Sequence, residues 1–338
     1  MERSLHTTSA PSQIWPPGVV DPRRLRPYTL RLSVTERCNF LCPYCAPPVG
    51  FRKTPYHDLL SLEKLATTAL WLSSVLQITK VRITGGEPLV RPELCGLIDQ
   101  LTRENNFAEI TLTTNGSRLS DLTAPLKRAG LCRVNVSLDT LDPARFKMLT
   151  GGALKNTLRG IESAIEEGLI PLKINAVLQK DGWREDVPKL IAFAGERGLE
   201  VRFIELFPVG AAGAWAKDHF VPARQVRDFL SESGRLSFLP HELGTPARPT
   251  IYRMGRQEVR IGWITPQSES FCEGCNRLRL DSRGKLHRCL IDPLTLDILD
   301  LLTRQGEEAA VSALSAYLLG KRAPESMISG ILMTAVGG

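Results

Sequence analysis

The 338-residue sequence contains no apolar run close to the roughly 18 residues that a membrane-spanning helix needs. Its opening segment, MERSLHTTSAPSQIWPP, is too polar and too rich in proline for a secretory signal peptide. It also lacks internal repeats and dense basic runs, although its net charge is +7. We therefore expect a cytoplasmic globular protein that spans no membrane and binds no nucleic acid, preceded by a flexible arm at residues 1–27.

Cysteine is better represented, and without a secretory signal it points to metal or redox chemistry rather than to disulfides. Six of the eight cysteines form two groups of three, which are Cys38, Cys42, Cys45 and Cys272, Cys275, Cys289. Neither group has a fourth cysteine nearby. A four-iron cluster normally takes four thiolates, so three leave one iron open to a substrate or cofactor. A structural zinc site is the alternative, with His287 as the fourth ligand of the second group.

Short β-rich runs alternate with segments of helical period from Thr29 onward. Six candidate strands are residues 29–34, 80–84, 109–113, 133–138, 171–177 and 200–206. This alternation predicts a parallel sheet with crossover helices, arranged as an incomplete (β/α)6 barrel over residues 28–207. After Phe207 the alternation stops, and we expect a smaller C-terminal α+β unit over residues 208–338.

Polar motifs follow the carboxyl ends of four of these strands, where parallel α/β folds bind ligands. They are Cys38, GGEP at 85–88, TNG at 114–116 and Asp139. Basic residues also lie within the strands themselves, at Arg31, Arg82, Lys173 and Arg202. Such charges are costly in parallel strands unless they meet an anion, although strand ends that face solvent are the alternative interpretation.

The run TLRLSVTERCNFLCPYC, followed by GGEP after the next strand, resembles the radical S-adenosylmethionine (SAM) superfamily. Within it, the sequence resembles the GTP 3',8-cyclase family of molybdenum cofactor biosynthesis (protein A). FCEGCNRLRLDSRGKLHRCL and the final Gly337-Gly338 carry this second resemblance. Three departures stand out: Ala46 and Phe207 replace methionines, and Lys321-Arg322 replaces a Lys-Pro pair.

The resemblance implies an incomplete TIM-like radical SAM barrel whose C-terminal unit carries a second cluster. It implies two 4Fe-4S clusters, each held by one cysteine group, with SAM at the first and GTP at the second. The implied SAM-site residues are Tyr44, Gly86, Glu87, Ser137 and Phe207. The implied GTP-site residues are Arg31, Arg82, Thr113, Lys173, Arg277, Leu278 and Arg279, with Arg277 and Arg279 also catalytic.

The implied reaction is the radical cyclisation of GTP, in which a 5'-deoxyadenosyl radical abstracts the ribose 3' hydrogen and C3' then attacks C8. The implied partners are an unidentified reductant protein, a second copy in a homodimer, and cyclic pyranopterin monophosphate synthase downstream. Two alternatives stay open at this point. One is a two-cluster radical SAM relative that acts on another substrate such as a peptide, and the other is a zinc-stabilised nucleotide-binding module.

Overall fold

A computed structural model of the chain describes residues 28–45, 55, 59–208, 213–241, 245–321 and 333–336. The N-terminal arm, Ala46 and the Gly337-Gly338 tail lie outside the described residues. The strands are β1 (Thr29–Ser33), β2 (Lys80–Thr84), β3 (Glu109–Thr114), β4 (Arg133–Ser137), β5 (Lys173–Leu178), β6 (Glu200–Glu205), β7 (Arg235–Phe238), β8 (Arg248–Met254), β9 (Gln257–Ile264), β10 (Arg277–Leu280), β11 (Lys285–His287) and β12 (Thr295–Asp297).

The α-helices of the described residues alternate with the first six strands and then follow in a C-terminal group. They are α1 (Leu62–Leu76), α2 (Leu94–Arg103), α3 (Thr123–Arg128), α4 (Pro143–Thr150), α5 (Leu154–Glu166), α6 (Trp183–Glu196), α7 (Gly213–His219), α8 (Ala223–Ser231), α9 (Ile298–Arg304), α10 (Glu307–Leu319) and α11 (Met333–Val336). None of the helices in these ranges is long and apolar enough to cross a membrane.

The twelve strands of the described residues belong to one sheet, in the order β12-β11-β10-β1-β2-β3-β4-β5-β6-β9-β8-β7. Strands β1 to β6 pair in parallel with their neighbours, which confirms the predicted six-unit α/β barrel. Beyond that prediction, β10 pairs in parallel with β1, and β9 pairs in parallel with β6. The residues after Phe207 therefore extend the barrel sheet at both of its edges.

The two faces of the barrel sheet differ in polarity. On one face, alternate strand residues such as Leu30, Val81 and Ile110 are buried against apolar residues of the helices, including Leu72 of α1. On the other face lie Arg31, Arg82, Thr111, Arg133 and their counterparts on later strands. Parallel sheets with helices on both faces are apolar on both, so this alternation identifies the second face as a polar interior.

Local sequence signals fix several helix ends. The Ser61 side chain accepts a hydrogen bond from the Lys64 amide, at 3.2 Å, and starts α1. Asp142 caps α4 in the same way, with Pro143 in its first turn. These ends determine where each crossover returns to the sheet, and so where the loops at the strand ends are placed.

Candidate functional site

The first cysteine group lies in the loop that follows β1. Cys38, Cys42 and Cys45 are partly buried, and the Phe40 amide donates to Cys38 Sγ at 3.3 Å. The GGEP loop after β2 supports this segment, since the Gly86 amide donates to the Thr35 carbonyl at 2.7 Å. The loops after the first two strands are thus joined directly, as the sequence predicted for the carboxyl edge of the sheet.

Glu87 of the GGEP motif is buried and connects three loops. Its carboxylate accepts hydrogen bonds from the Thr114 hydroxyl and the Asn115 amide, both at 2.6 Å, and from the Leu89 amide at 3.0 Å. Burial raises the pKa of Glu87 to about 7, despite these hydrogen bonds, which lower it. The Asn115 Nδ2 atom lies 3.9 Å from Cys38 Sγ. The TNG and GGEP motifs therefore act together on the cysteine loop.

Tyr44 links the cysteine loop to the end of β4. Its hydroxyl donates to Asp139 Oδ2 at 2.5 Å, while Asp139 Oδ1 accepts from the Val177 amide at 2.8 Å. Burial raises the pKa of Asp139 to about 6, against the lowering effect of those two hydrogen bonds. Ser137 ends β4 and Phe207 follows β6, so both lie at the same carboxyl edge as Cys38.

Burial disfavours the thiolate forms of the first cysteine group. Burial, followed by the nearby Asp139, raises the pKa of the Cys42 thiol far above its usual value. Burial and the Cys38 sulfur raise the pKa of Cys45 to about 12. Thiols in this setting become thiolates only when a positive group binds them, and iron supplies that charge.

The second cysteine group surrounds the start of β10. The Cys275 amide donates to the Cys272 carbonyl at 3.2 Å, and Cys289 follows β11. Burial would raise the pKa of Cys275, but Arg277 and Lys321 outweigh it and lower the pKa to about 7. Cys275 is therefore ready to bind metal as a thiolate near neutral pH.

The zinc alternative for the second group depends on His287. In the structure His287 Nε2 contacts Asp281 Oδ2 at 2.9 Å, and its Nδ1 atom is buried without a hydrogen-bond partner among the described residues. Within the described ranges, no three histidine, cysteine, aspartate or glutamate side chains meet as ligands of a single metal ion. The described residues thus form no closed four-ligand zinc site of the structural kind.

A cavity of about 560 Å³ lies inside the barrel, among the first halves of its strands. Of the residues expected to bind GTP, Arg31, Arg82, Lys173 and Arg277 line it. Other basic residues that line it are Lys80, Arg133, Arg202 and Arg260. The cavity is therefore nearer the amino ends of the strands than the carboxyl ends, where sequence reasoning placed the ligand.

The other three residues of the predicted GTP set do not line this cavity. Thr113 lies further along β3 and accepts from Asn135 Nδ2 at 3.4 Å. Arg279 is opposite Arg31 in the β1–β10 register and is buried. Leu278 lies on the other face of β10, fully buried in the hydrophobic core. Its side chain is directed away from the barrel interior, so only its backbone is available to a substrate.

The arginines of the barrel interior crowd one another. Burial lowers the pKa of Arg31, and Arg279 and Arg82 lower it further. Burial and Arg202 lower the pKa of Arg82 to about 9, and burial and Arg277 lower that of Arg279 to about 10. Arg82 and Arg279 remain cationic at neutral pH, so the interior favours an anionic ligand.

Two arginines that line the cavity have guanidinium nitrogens without a hydrogen-bond partner among the described residues. Among the described residues, Nε and Nη2 of Arg277 and Nη1 of Arg133 are buried without one. Buried donors without partners cost about 1–3 kcal/mol each, and more when they are charged. An anion that accepts these hydrogen bonds would remove that cost.

Four charged residues that line this cavity were not predicted from the sequence. They are Glu109, Glu200, Arg133 and Arg260. Glu200 contacts Lys173 at 2.8 Å, Arg202 at 2.6 Å and Arg260 at 3.3 Å. Glu109 similarly pairs with Arg133 and with Lys80. The available signal was the charged first residue of β2 through β6, in KVRIT, EITLTT, RVNVS, KINAVL and EVRFIE.

The barrel and the first cysteine loop define a radical SAM enzyme. The family model described as Radical SAM superfamily matches residues 32–194, and the one described as Molybdenum Cofactor Synthesis C matches residues 199–327. The crystal structure of Streptococcus suis SuiB bound to precursor peptide SuiA has the same fold, with a TM-score of 0.60 and 15% identity. The alignment covers 88% of this chain and 68% of SuiB.

Curated relatives give the particular family. The GTP 3',8-cyclase of Peptoclostridium acidaminophilum is 41% identical over 281 residues, which cover 82% of this chain and 85% of the relative. That of Rhizobium meliloti (strain 1021) is 39% identical over 326 residues, which cover 95% of this chain and 89% of the relative. The chain belongs to the GTP 3',8-cyclase family, whose members use SAM and two 4Fe-4S clusters.

Proposed function

We propose that the protein cyclises GTP to (8S)-3',8-cyclo-7,8-dihydroguanosine 5'-triphosphate, the first step of molybdenum cofactor biosynthesis. The observation that carries this proposal is the basic cavity with unpartnered guanidinium nitrogens on Arg277 and Arg133. A volume of about 560 Å³ is within the usual range for small-molecule sites. A triphosphate supplies the anionic oxygens that arginine binds in a bidentate manner.

The placement of the two cysteine groups suggests how GTP lies. Arg277 lines the cavity and is two residues from Cys275, so the guanine end belongs beside the second group. Arg31, Arg82 and Lys173 then bind the triphosphate. Cys272, Cys275 and Cys289 would hold the second cluster, with its open iron available to the guanine.

The cluster held by Cys38, Cys42 and Cys45, together with SAM, supplies a 5'-deoxyadenosyl radical as the hydrogen-abstracting agent. The chain contributes the positions of the reacting groups. Tyr44 and Glu87 fix the loops at the carboxyl edge, and the arginines hold GTP inside the barrel, away from water. Most of the protein's share of catalysis is then orientation and enclosure.

The test uses anaerobically reconstituted protein, a reductant, SAM and GTP deuterated at ribose C3'. We expect deuterium in the 5'-deoxyadenosine, detected by mass, and a cyclised nucleotide product. Unlabelled 5'-deoxyadenosine without nucleotide product would contradict GTP as the substrate and favour another one, such as a peptide. No 5'-deoxyadenosine at all would contradict the radical SAM assignment.

A pair of variants connects the activity to the cavity. Arg82→Ala should lose about 100-fold in GTP affinity, because it removes a buried, charge-assisted contact worth about 3 kcal/mol. Arg103→Ala is the control, since Arg103 is an exposed residue of α2 that pairs only with Asp99 among the described residues. Equal GTP affinities of the two variants, measured by equilibrium dialysis, would argue against this cavity as the triphosphate site.

The same function implies where the protein is located and which partners it has. GTP and the reductant required by the clusters are both found in the cytoplasm, where we place the enzyme. A homodimer, and a downstream cyclic pyranopterin monophosphate synthase, are implied by the family resemblance and stay predictions.

A further inference from the structure

Lys321 is a buried lysine that the proposed reaction does not use. It follows α10 after Gly320, and its exposed fraction is 6%. Lysine is rarely buried unless its ammonium is paired, because removing that charge from water is costly. The contacts of this ammonium therefore indicate what the residue does.

The ammonium joins the two chain segments that carry the second cysteine group. Its Nζ atom donates to the Arg277 carbonyl at 2.9 Å and also to the Arg288 carbonyl. It lies 4.0 Å from Cys275 Sγ. Arg277 comes two residues after Cys275, and Arg288 immediately precedes Cys289, so one side chain contacts both sides of the site.

Hydrogen bonds at the end of α10 fix the position of this lysine. The Tyr317 hydroxyl accepts from the Arg288 amide at 3.0 Å, and the Arg288 Nη1 atom donates to the Tyr317 carbonyl at 2.8 Å. A Cβ on Gly320 would lie 1.9 Å from Arg288 Nη1. A larger residue at this position would displace the Arg288 guanidinium and its hydrogen bond to Tyr317, which hold the end of α10 beside the Cys289 segment.

We propose that Lys321 is a positioning residue for the second cluster. It clamps the Cys275 and Cys289 segments through their neighbouring carbonyls and holds a positive charge beside the Cys275 sulfur. This inference rests on the proposed function, since it requires a cluster at these cysteines. A positive charge near an iron-sulfur cluster favours the reduced, more negative state, so it raises the reduction potential.

Two variants separate the clamp from the charge. Lys321→Gln keeps an amide that can donate to the carbonyls but removes the charge, whereas Lys321→Met removes both. Lys285→Met is the matched control, because Lys285 is an exposed lysine of β11 in the same hairpin. Each is made in the full chain, first with all cysteines present and then with Cys38, Cys42 and Cys45 replaced by alanine, so that only the second cluster titrates.

Two quantities are measured after anaerobic reconstitution. One is iron and sulfide per chain during exposure to a chelator, and the other is the midpoint potential of the second cluster by redox titration monitored by electron paramagnetic resonance. We expect Lys321→Met to retain the second cluster about 10- to 100-fold less well, the usual effect of removing an outer-shell partner. Lys321→Gln should retain more iron but titrate at a more negative potential, and Lys285→Met should match the unsubstituted protein.

Different results would contradict the positioning role of Lys321 and the proposed second cluster. If Lys321→Gln and Lys321→Met both retain iron normally and titrate at the unsubstituted potential, Lys321 has no positioning role. If Lys321→Met fails to fold, as judged by circular dichroism, Lys321→Gln decides through its potential. If the chain lacking Cys38, Cys42 and Cys45 binds no iron even with Lys321 present, the proposed second cluster is wrong, and the inference falls with it.

Discussion

The contact between the GGEP loop and the first cysteine loop leaves no space for a side chain at Gly86. A Cβ at this position would lie 2.4 Å from the Arg37 carbonyl oxygen and 2.7 Å from the Glu36 carbonyl oxygen. Both neighbours are backbone atoms, so no rotamer change can relieve the clash. Gly86→Ala must therefore displace the segment that leads into Cys38.

The size of this effect follows from the distances. An ordinary Cβ contact begins at 3.4 Å, so the Arg37 carbonyl has to move by about 1 Å. That movement breaks the 2.8 Å hydrogen bond from the Glu87 amide to Arg37, at a cost of about 1–3 kcal/mol if the donor stays buried. Overpacking adds about 1–3 kcal/mol. We expect Gly86→Ala to destabilise the fold by about 2–6 kcal/mol and to weaken the first iron site.

Gly96→Ala is the matched control, because Gly96 is an exposed residue of α2 whose added Cβ would meet nothing within 4 Å. Alanine is the better helix former, so this variant should be unchanged or up to about 1 kcal/mol more stable. The assay is urea unfolding of the apoprotein by circular dichroism, followed by iron content and SAM binding after reconstitution. Equal unfolding midpoints and equal SAM affinities for the two variants would refute the reasoning.

Two further predictions concern hydrogen bonds and charge. Tyr44→Phe leaves the buried Asp139 carboxyl without its 2.5 Å donor, so we expect about 10-fold weaker SAM binding by calorimetry, and an unchanged affinity would count against Tyr44 as a support of this site. Burial would raise the pKa of Glu200, but Arg202 and the cations beside it lower it below the usual 4.5. Folded protein then binds fewer protons than unfolded protein, so stability present above about pH 4.5 is lost as the pH falls through the lowered pKa. Glu200→Gln should reduce this loss in urea titrations between about pH 5 and 3, and parallel curves would contradict the assignment.

Local patterns predicted most of the barrel. The six parallel strands, the Ser61 cap and the cysteine, GGEP and TNG loops at one edge are encoded within short stretches of chain. Strand-to-strand pairing across long separations is not encoded in that way. For this reason β9 and β10 were expected in a separate unit, although they pair with β6 and β1.

The site was predicted unevenly for the same reason. Arg31, Arg82 and Lys173 stood out because charge inside a parallel strand is unusual. Arg133 and Glu200 did not, since a charged residue at the first position of a strand is ordinary until several such strands converge. Lys321 is more than thirty residues from either neighbour whose carbonyl it contacts, and only the packing of α10 brings them together.

In the polar interior of the barrel, strand length sets the distance between the basic cavity and the first cysteine loop. The first cysteine loop is at the carboxyl end of β1, while the basic cavity lies among the amino-terminal halves of the same strands. A strand of five residues such as β2 spans about 17 Å at roughly 3.3 Å per residue. A nucleotide whose phosphates bind in this cavity, as proposed above, would present its sugar at a fixed distance from the first cysteine loop. Removing phosphates would shift the reacting carbon along the barrel axis as well as weaken binding.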